Sequence, residues 1–382
     1  MPNLTDKLRM IGAQPKAHRD EAPREAPQGC YRISERYPVA SFADARYATA
    51  SILHEIYGLD FPVSVRIQDV LFLDTETTGL SRGTGTVAFL VGVGYFTDQH
   101  FVVEQLLMRD YDEEIFVLEE INRLLQSFPV LATFNGRTFD LPVLENRLLL
   151  NRLSGKPQGV HADVLYPARR VWKLRLKQCN LQRLEESVLG VSRNDDIPGA
   201  MIPQTYFTYL KNRDFEPIRQ IMTHNRQDIV SLAQIFFFLC RLYDKPETTA
   251  EPEDLYSLAR ALHRRGETQK AKKCYRLSAR DDLRKPAFQA LAEQEKREGS
   301  AQRAVKLYKA MLARGEDTAD VCVALAKLYE HQLKDARQAL LYTRQALLIL
   351  AEPGLDLGEA VQSKRNALQY RYVRLRRITN SK

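Results

Sequence analysis

Through its first two thirds the chain mixes short apolar runs with stretches of helical spacing, and afterwards the spacing is helical alone. Val70–Leu73 is a short apolar run, Val87–Phe96 (VAFLVGVGYF) is longer, and Phe101–Met108 continues the β character. Val130–Phe134 is another short run, while Ala43–Tyr57, Glu113–Leu125 and Leu141–Leu150 carry helical spacing. This mixture predicts an α/β domain built on a sheet. Thr223–Tyr243 predicts a largely buried helix with Ile229, Leu232, Ile235, Phe236 and Leu239 as its stripe. The polar, proline-bearing stretch at 244–253 reads as a linker, and residues 1–29 read as a flexible arm.

Beyond the linker, over 254–382, the pattern repeats. Ala259, Ala271 and Tyr275 recur 33 positions later as Ala292, Ala304 and Tyr308. A looser third copy has Ala326, then Ala339 displaced by one residue. Small residues at these spacings let paired helices approach closely. The segment resembles tetratricopeptide repeats, whose period is about 34. An unrelated helical bundle is the alternative. Gly358–Lys382 predicts a basic closing helix with Arg371, Arg374, Arg376 and Arg377.

A chain of 382 residues is long enough for two cores, and 44% hydrophobic with 27% charged residues is an ordinary soluble composition. The formal net charge of +8 is unevenly spread. From residue 251 onward 27 Lys and Arg stand against 17 Asp and Glu, so the whole positive excess lies there. A polyanionic partner would explain it, and so would a solvated helical surface. No apolar run approaches the ~20 residues of a membrane span, and the N-terminus lacks the apolar core of a secretory signal. Five cysteines without a CxxC pair argue against a zinc site or a disulfide framework and suit a reducing cytoplasm.

Three short elements carry candidate chemistry. In LFLDTETTGL (71–80) an apolar strand runs into Asp74 and Glu76, which share one strand face. Two such carboxylates repel unless a cation lies between them, and hard divalent ions want those oxygens. The bland reading is a solvated strand end. In TFNGRTFDLPVL (133–144), Asp140 is either a helix N-cap or a further metal ligand. In the third, Asp228 begins the buried helical stripe, and His224 lies one turn earlier on the same face. Four carboxylates converging at one sheet end would hold two ions ~4 Å apart around a scissile phosphate.

In this order the elements resemble the DEDD exonucleases of the ribonuclease H-like superfamily. Asp74 and Glu76 match the first motif, Asp140 in NGRTFD the second and Asp228 the third. The chain is similar, more closely, to the bacterial YprB-like proteins, which join such a domain to tetratricopeptide repeats. The stretches that carry this are GTGTVAFLVGVGYF, FNGRTFDLPVLENR, HADVLYPARRVWK, DDIPGAMIPQTYF and HNRQDIVSLA, over about residues 30–243. The resemblance implies an α/β ribonuclease H-like mixed sheet with flanking helices, followed by an all-α tetratricopeptide-like domain. It also implies a Mg²⁺ or Mn²⁺ pair on Asp74, Glu76, Asp140 and Asp228, and phosphodiester hydrolysis of single-stranded DNA or RNA from a 3′ end. His224 would orient or deprotonate the attacking water, although H-x-x-x-D is the spacing these nucleases use with tyrosine.

Thr77, Thr78 and Leu80 either hold a terminal nucleotide or make an ordinary turn, and Asn135 either meets a phosphate or holds its own turn. Asp163 is a fifth acid or a helix cap. Arg169, Arg170, Lys173, Arg175 and Lys177 around Trp172 either track a nucleic-acid backbone with one stacking ring or form an exposed helix face. The competing function is a non-catalytic adaptor that binds nucleic acid, or a protein, through the helical repeats.

Overall fold

The computed structural model describes residues 29–79, 85–153, 157–193, 196–316, 318–351 and 359–380. Leu80 and all but the last residue of the N-terminal arm lie outside these. The chain divides into two compact units, residues 1–249 and 250–382.

Among the described residues of the first unit the strands form one six-stranded sheet in the order β1-β4-β3-β2-β5-β6. They are β1 (Tyr31–Pro38), β2 (Val70–Thr77), β3 (Ala88–Phe96), β4 (His100–Leu107), β5 (Val130–Thr133) and β6 (Val160–Asp163). β1, β4, β3 and β2 are joined antiparallel, whereas β5 pairs parallel with β2 and with β6. The sheet is therefore mixed, and β2 is the strand at which its direction rule changes. Val70–Leu73 are wholly buried, as a central strand covered on both faces requires. The strand continues past this apolar run to Thr77, so Asp74 and Glu76 lie inside it.

Helices α1 (Ala50–Tyr57), α2 (Glu114–Ser127), α3 (Asp140–Leu150), α4 (Leu165–Leu176), the one-turn α5 (Leu181–Leu184), α6 (Ile202–Asn212) and α7 (Glu216–Asp244) flank the sheet. The helix predicted from Ala43 begins later. A 3₁₀ segment covers Val39–Tyr47, and α1 starts afresh where Thr49 Oγ1 accepts from the Ile52 amide at 3.3 Å. Two strands escaped the periodicity reading. β1 is an edge strand whose residues alternate with solvent, and β6 spans only four residues.

Two glycines of β3 decide how α7 meets the sheet. A Cβ at Gly94 would lie 2.6 Å from Ile229 Cγ2 and 2.5 Å from the Phe101 ring. One at Gly92 would lie 2.2 Å from Asn225 Oδ1. Their bare backbone lets the helix settle on β2, β3 and β4. Phe236 and Phe237 of α7 then pack edge-on against Phe72, which seals that face.

The second unit is all-helical among its described residues, apart from the 3₁₀ turn Asp281–Leu283. It comprises α8 (Pro252–Arg264), α9 (Thr268–Ser278), α10 (Arg284–Arg297), α11 (Ala301–Leu312), α12 (Thr318–His331), α13 (Ala336–Ile349) and α14 (Glu359–Asn380). The recurring Ala259, Ala271, Ala292, Ala304, Ala326 and Ala339 are all fully buried, so the small residues lie where helices touch. Lys272 is buried as well and bonds Glu295 Oε1 at 2.7 Å and Glu298 Oε2 at 2.5 Å. On α14, Arg371 bonds Glu330 at 2.6 Å, and Arg374 bonds the same carboxylate. Among the described residues no helix is long and apolar enough to cross a membrane.

Candidate active site

The register of β2 places the first two acids. Its pairing with β5 runs to Phe72↔Ala132, while pairing with β3 continues through Asp74↔Gly92 and Glu76↔Leu90. The carboxyl end of β2 is thus left open on its β5 side, where the sheet changes from antiparallel to parallel. Such switch points form crevices for ligands.

The second motif fills the edge. The Thr75 amide donates to Asp140 Oδ1 at 3.1 Å, and Thr75 Oγ1 donates to the same oxygen at 2.6 Å. The N-cap reading of Asp140 does not hold: Phe139 occupies the cap position and Asp140 is the first residue of α3. Its carboxylate turns toward β2 instead. Asp163 has a structural task. Oδ1 accepts from the Asn135 amide at 2.8 Å and the Leu165 amide at 3.1 Å, and Oδ2 accepts from the Arg137 amide at 3.1 Å. It therefore caps the start of α4 and holds the 134–139 turn, where Asn135 takes the left-handed φ of 67°.

Helix α7 supplies the third part. His224 Nε2 lies 3.4 Å from Asp228 Oδ2 and 3.8 Å from Glu76 Oε1. One ligand atom from each of these three side chains fits within 4.8 Å of the others. All three side chains are 13–15% exposed, buried enough to strengthen charge interactions yet open to a ligand.

Four further residues hold this set, and none was singled out from the sequence. Asn225, fully buried, donates through Nδ2 to Asp74 Oδ2 at 2.9 Å and accepts from Gln105 Nε2 at 2.9 Å. Asp196 Oδ1 accepts from His224 Nδ1 at 2.7 Å, which turns Nε2 toward Glu76 and Asp228. Arg193 grips Glu185 bidentately at 2.6 Å, reaches Asp196 Oδ2 at 3.0 Å and also bonds Asp228. Glu185 is fully buried in the π-helical turn Glu185–Leu189, so Arg193 links that turn to α7. Asn225 carried a readable signal: it falls on the apolar stripe of Ile221 and Ile229, where a polar side chain needs a partner. Arg193 and Asp196 sit in a stretch without periodicity and gave none.

The electrostatics follow from crowding like charges. Burial pushes the Asp74 carboxyl far above the usual range, and Asp228, Asp140 and Glu76 push it further. Burial likewise raises Glu76 strongly, with Asp228 and Asp140 adding to it and Arg193 opposing. Burial raises Asp140 to about 6 against the pull of its bonds from Thr75. For Asp196, burial is outweighed by the hydrogen bonds from His224 and Arg193, and the carboxyl stays below the ordinary range. Among the described residues, four carboxyls with one guanidinium on one of them form an oxygen-rich set short of positive charge. That is the donor chemistry hard divalent cations take, so the residues fit such ions.

Thr77 Oγ1 donates to the Gly79 carbonyl at 2.8 Å, and Thr78 Oγ1 accepts from the Val87 amide at 3.0 Å. Both hold the turn after β2. The stacking role considered for Trp172 is excluded, because its ring is fully buried and packs near Phe238. Arg170 is committed to the Ile56 carbonyl at 2.8 Å.

Residues 71–240 match the family model of the RNase H superfamily. The chain is 28% identical over 368 residues to the uncharacterized protein YprB of Bacillus subtilis (strain 168), covering 92% of this chain and 85% of YprB. A family B DNA polymerase of the hyperthermophilic archaeon Pyrobaculum calidifontis is similar over 51% of this chain, at 14% identity and a TM-score of 0.38. The matched region spans 29% of the polymerase's length. Residues 71–240 are thus similar to the RNase H superfamily, in a chain that is similar to YprB over 92% of its length.

Proposed function

We propose that the protein is a divalent-metal-dependent nuclease that hydrolyses single-stranded DNA or RNA, as a 3′-to-5′ exonuclease of the cytoplasm. The observation that carries this reading is the meeting of Glu76, His224 and Asp228, beside Asp74 and Asp140, at the open end of β2. Asp74, Glu76, Asp140 and Asp228 would hold Mg²⁺ or Mn²⁺. Bound there, the ions supply Lewis acidity beside a phosphate and a lowered pKa for water.

The chain's own groups do the rest. Asp196 holds Nδ1 of His224, so Nε2 faces the cluster, where it orients the attacking water and accepts its proton. Asn225 fixes the rotamer of Asp74, and Arg193 fixes that of Asp228. Thr77, Thr78 and Asn135 would border the place for the terminal nucleotide. The second unit, as a tetratricopeptide-like array, supplies basic surface or a protein-docking groove. The polarity rests on the resemblance to DEDD exonucleases.

A non-catalytic adaptor would not need a crowded acid cluster, which costs desolvation and mutual repulsion. The test is a time course on matched RNA and DNA oligomers labelled at either end, with Mg²⁺ or Mn²⁺ and then with a chelator. Shortening from the 3′ end that stops on chelation is the expected result. Folded protein that leaves both oligomers intact selects the adaptor.

A further inference from the structure

Helix α4 carries a cationic cleft that the hydrolytic cluster does not use. The cleft has a volume of about 670 Å³ and is lined by Phe134, Asn135, Arg169, Lys173, Lys177 and Gln178, among others. Among the described residues no carboxylate lines it. Arg169 and Lys173, four positions apart, share one exposed face of α4. Lys177 follows, its Nζ resting on the Leu174 carbonyl at 2.9 Å.

The state of these cations differs from that of many arginines of the unit. Arg32, Arg109, Arg123, Arg147, Arg193, Arg213 and Arg226 each pair with an acid. Among the described residues, Arg169 and Lys173 pair with none. Three like charges facing one concavity repel, and an anion relieves that repulsion. The helix that presents them is fixed from behind by the fully buried Val171 and Trp172, so the charges are held in place before any ligand arrives.

The rest of the lining says which anion. Phe134, half-buried, opens the turn that Asp163 holds, and Asn135 beside it is five positions from Asp140. A ring in the same cleft as cations suits a nucleotide: phosphate against the ammonium and guanidinium groups, base against the aromatic face. The volume is that of a pocket for one such unit. We propose that this cleft is a second nucleotide subsite, holding a nucleotide of the same single strand away from its scissile phosphate. The proposal rests on the nuclease reading and adds that the enzyme prefers a strand over a short phosphodiester.

The test uses the full-length protein and the exposed double variant Arg169→Gln/Lys173→Gln. Hydrolysis is measured with Mn²⁺ on a 12-mer oligothymidylate and on the p-nitrophenyl ester of thymidine 5′-monophosphate, which carries one nucleotide only. On the 12-mer kcat/KM falls about tenfold, mostly through KM, while the loss on the ester stays under about twofold. In anisotropy titrations of a labelled 12-mer, the salt dependence of log Kd shrinks by roughly 1.4, about 0.7 for each lost phosphate contact. Equal losses on both substrates, or an unchanged salt slope, overturn the subsite. Equal affinity of the wild type for polyglutamate of the same charge also overturns it. Should the wild type hydrolyse neither substrate, the nuclease reading fails by itself, and the anisotropy titration still decides whether the cleft binds a strand.

Discussion

Both units bury charge, and they treat it in opposite ways. In the helical unit Lys272 is matched by Glu295 and Glu298, and Glu330 by Arg371 and Arg374. Each of these charges has its counterpart, and the clusters tie neighbouring helices together. At the end of β2, by contrast, Asp74, Glu76, Asp140 and Asp228 share, among the described residues, one nearby guanidinium, Arg193. Matched charge marks structure. Unmatched charge of one sign, held in place by Asn225, Thr75 and Arg193, is what the proposed cation site would need.

The comparison is broken most directly at Asp74. Asp74→Ala is expected to lower hydrolysis of a labelled oligomer by roughly 10³-fold, about 4 kcal/mol of transition-state stabilisation. Its melting temperature in metal-free buffer rises, because a repelling charge has gone. A variant that melts earlier would show that Asp74 is structural. Lys272→Ala does the reverse. It leaves buried Glu295 with only the exposed Arg303 at 3.8 Å, and denaturant titration of the helical unit should lose about 3–5 kcal/mol. Cleavage per folded molecule stays within error.

A subtler lesion is Gly92→Ala. The added methyl group would meet Asn225 Oδ1 at 2.2 Å and push that side chain off Asp74. Activity should fall about 10–100-fold, the usual range for partners of metal ligands. Titration of Mn²⁺ by calorimetry should show the weaker binding directly.

The smallest effect is a pH-dependent one. Asp140 titrates at about 6 in the folded chain, against an ordinary value of 3.8, and Asp74 and Glu76 are also raised. The folded chain then holds more protons than the unfolded one between about pH 4 and pH 6. Stability of the metal-free protein therefore falls as pH rises through that window. A divalent ion at ten times its Kd should restore about 1.4 kcal/mol at pH 7.5, and less at pH 5 where protons compete. Equal melting temperatures with and without the ion at pH 7.5 would argue against a cation site.

The sequence made half of this site visible, and the division has a physical basis. Acids one residue apart on a strand, and a His and an Asp one turn apart on a helix, are local patterns that fix a shared face before any fold is known. Asp74, Glu76, His224 and Asp228 could be picked out for that reason. Asp140 was visible as a candidate, but its partner Thr75 is 65 positions away, so its choice between cap and cluster depended on the sheet. Arg193 and Asp196 pair with residues distant in sequence, Asp228 and His224, and no periodicity announces such contacts. The six-stranded sheet was anticipated in kind, yet β1 and β6 were hidden, one by its solvent-facing alternation and the other by its brevity.

The seating of α7 on the glycines of β3 has a dynamic consequence. His224, Asn225 and Asp228 lie within five residues of one 29-residue helix, whose later turns carry Phe236, Phe237 and Leu239 in the centre of the domain. These three side chains shift only as one rigid rod. Amide hydrogens along residues 224–228 should exchange with solvent only when the whole domain opens, rather than through local fraying.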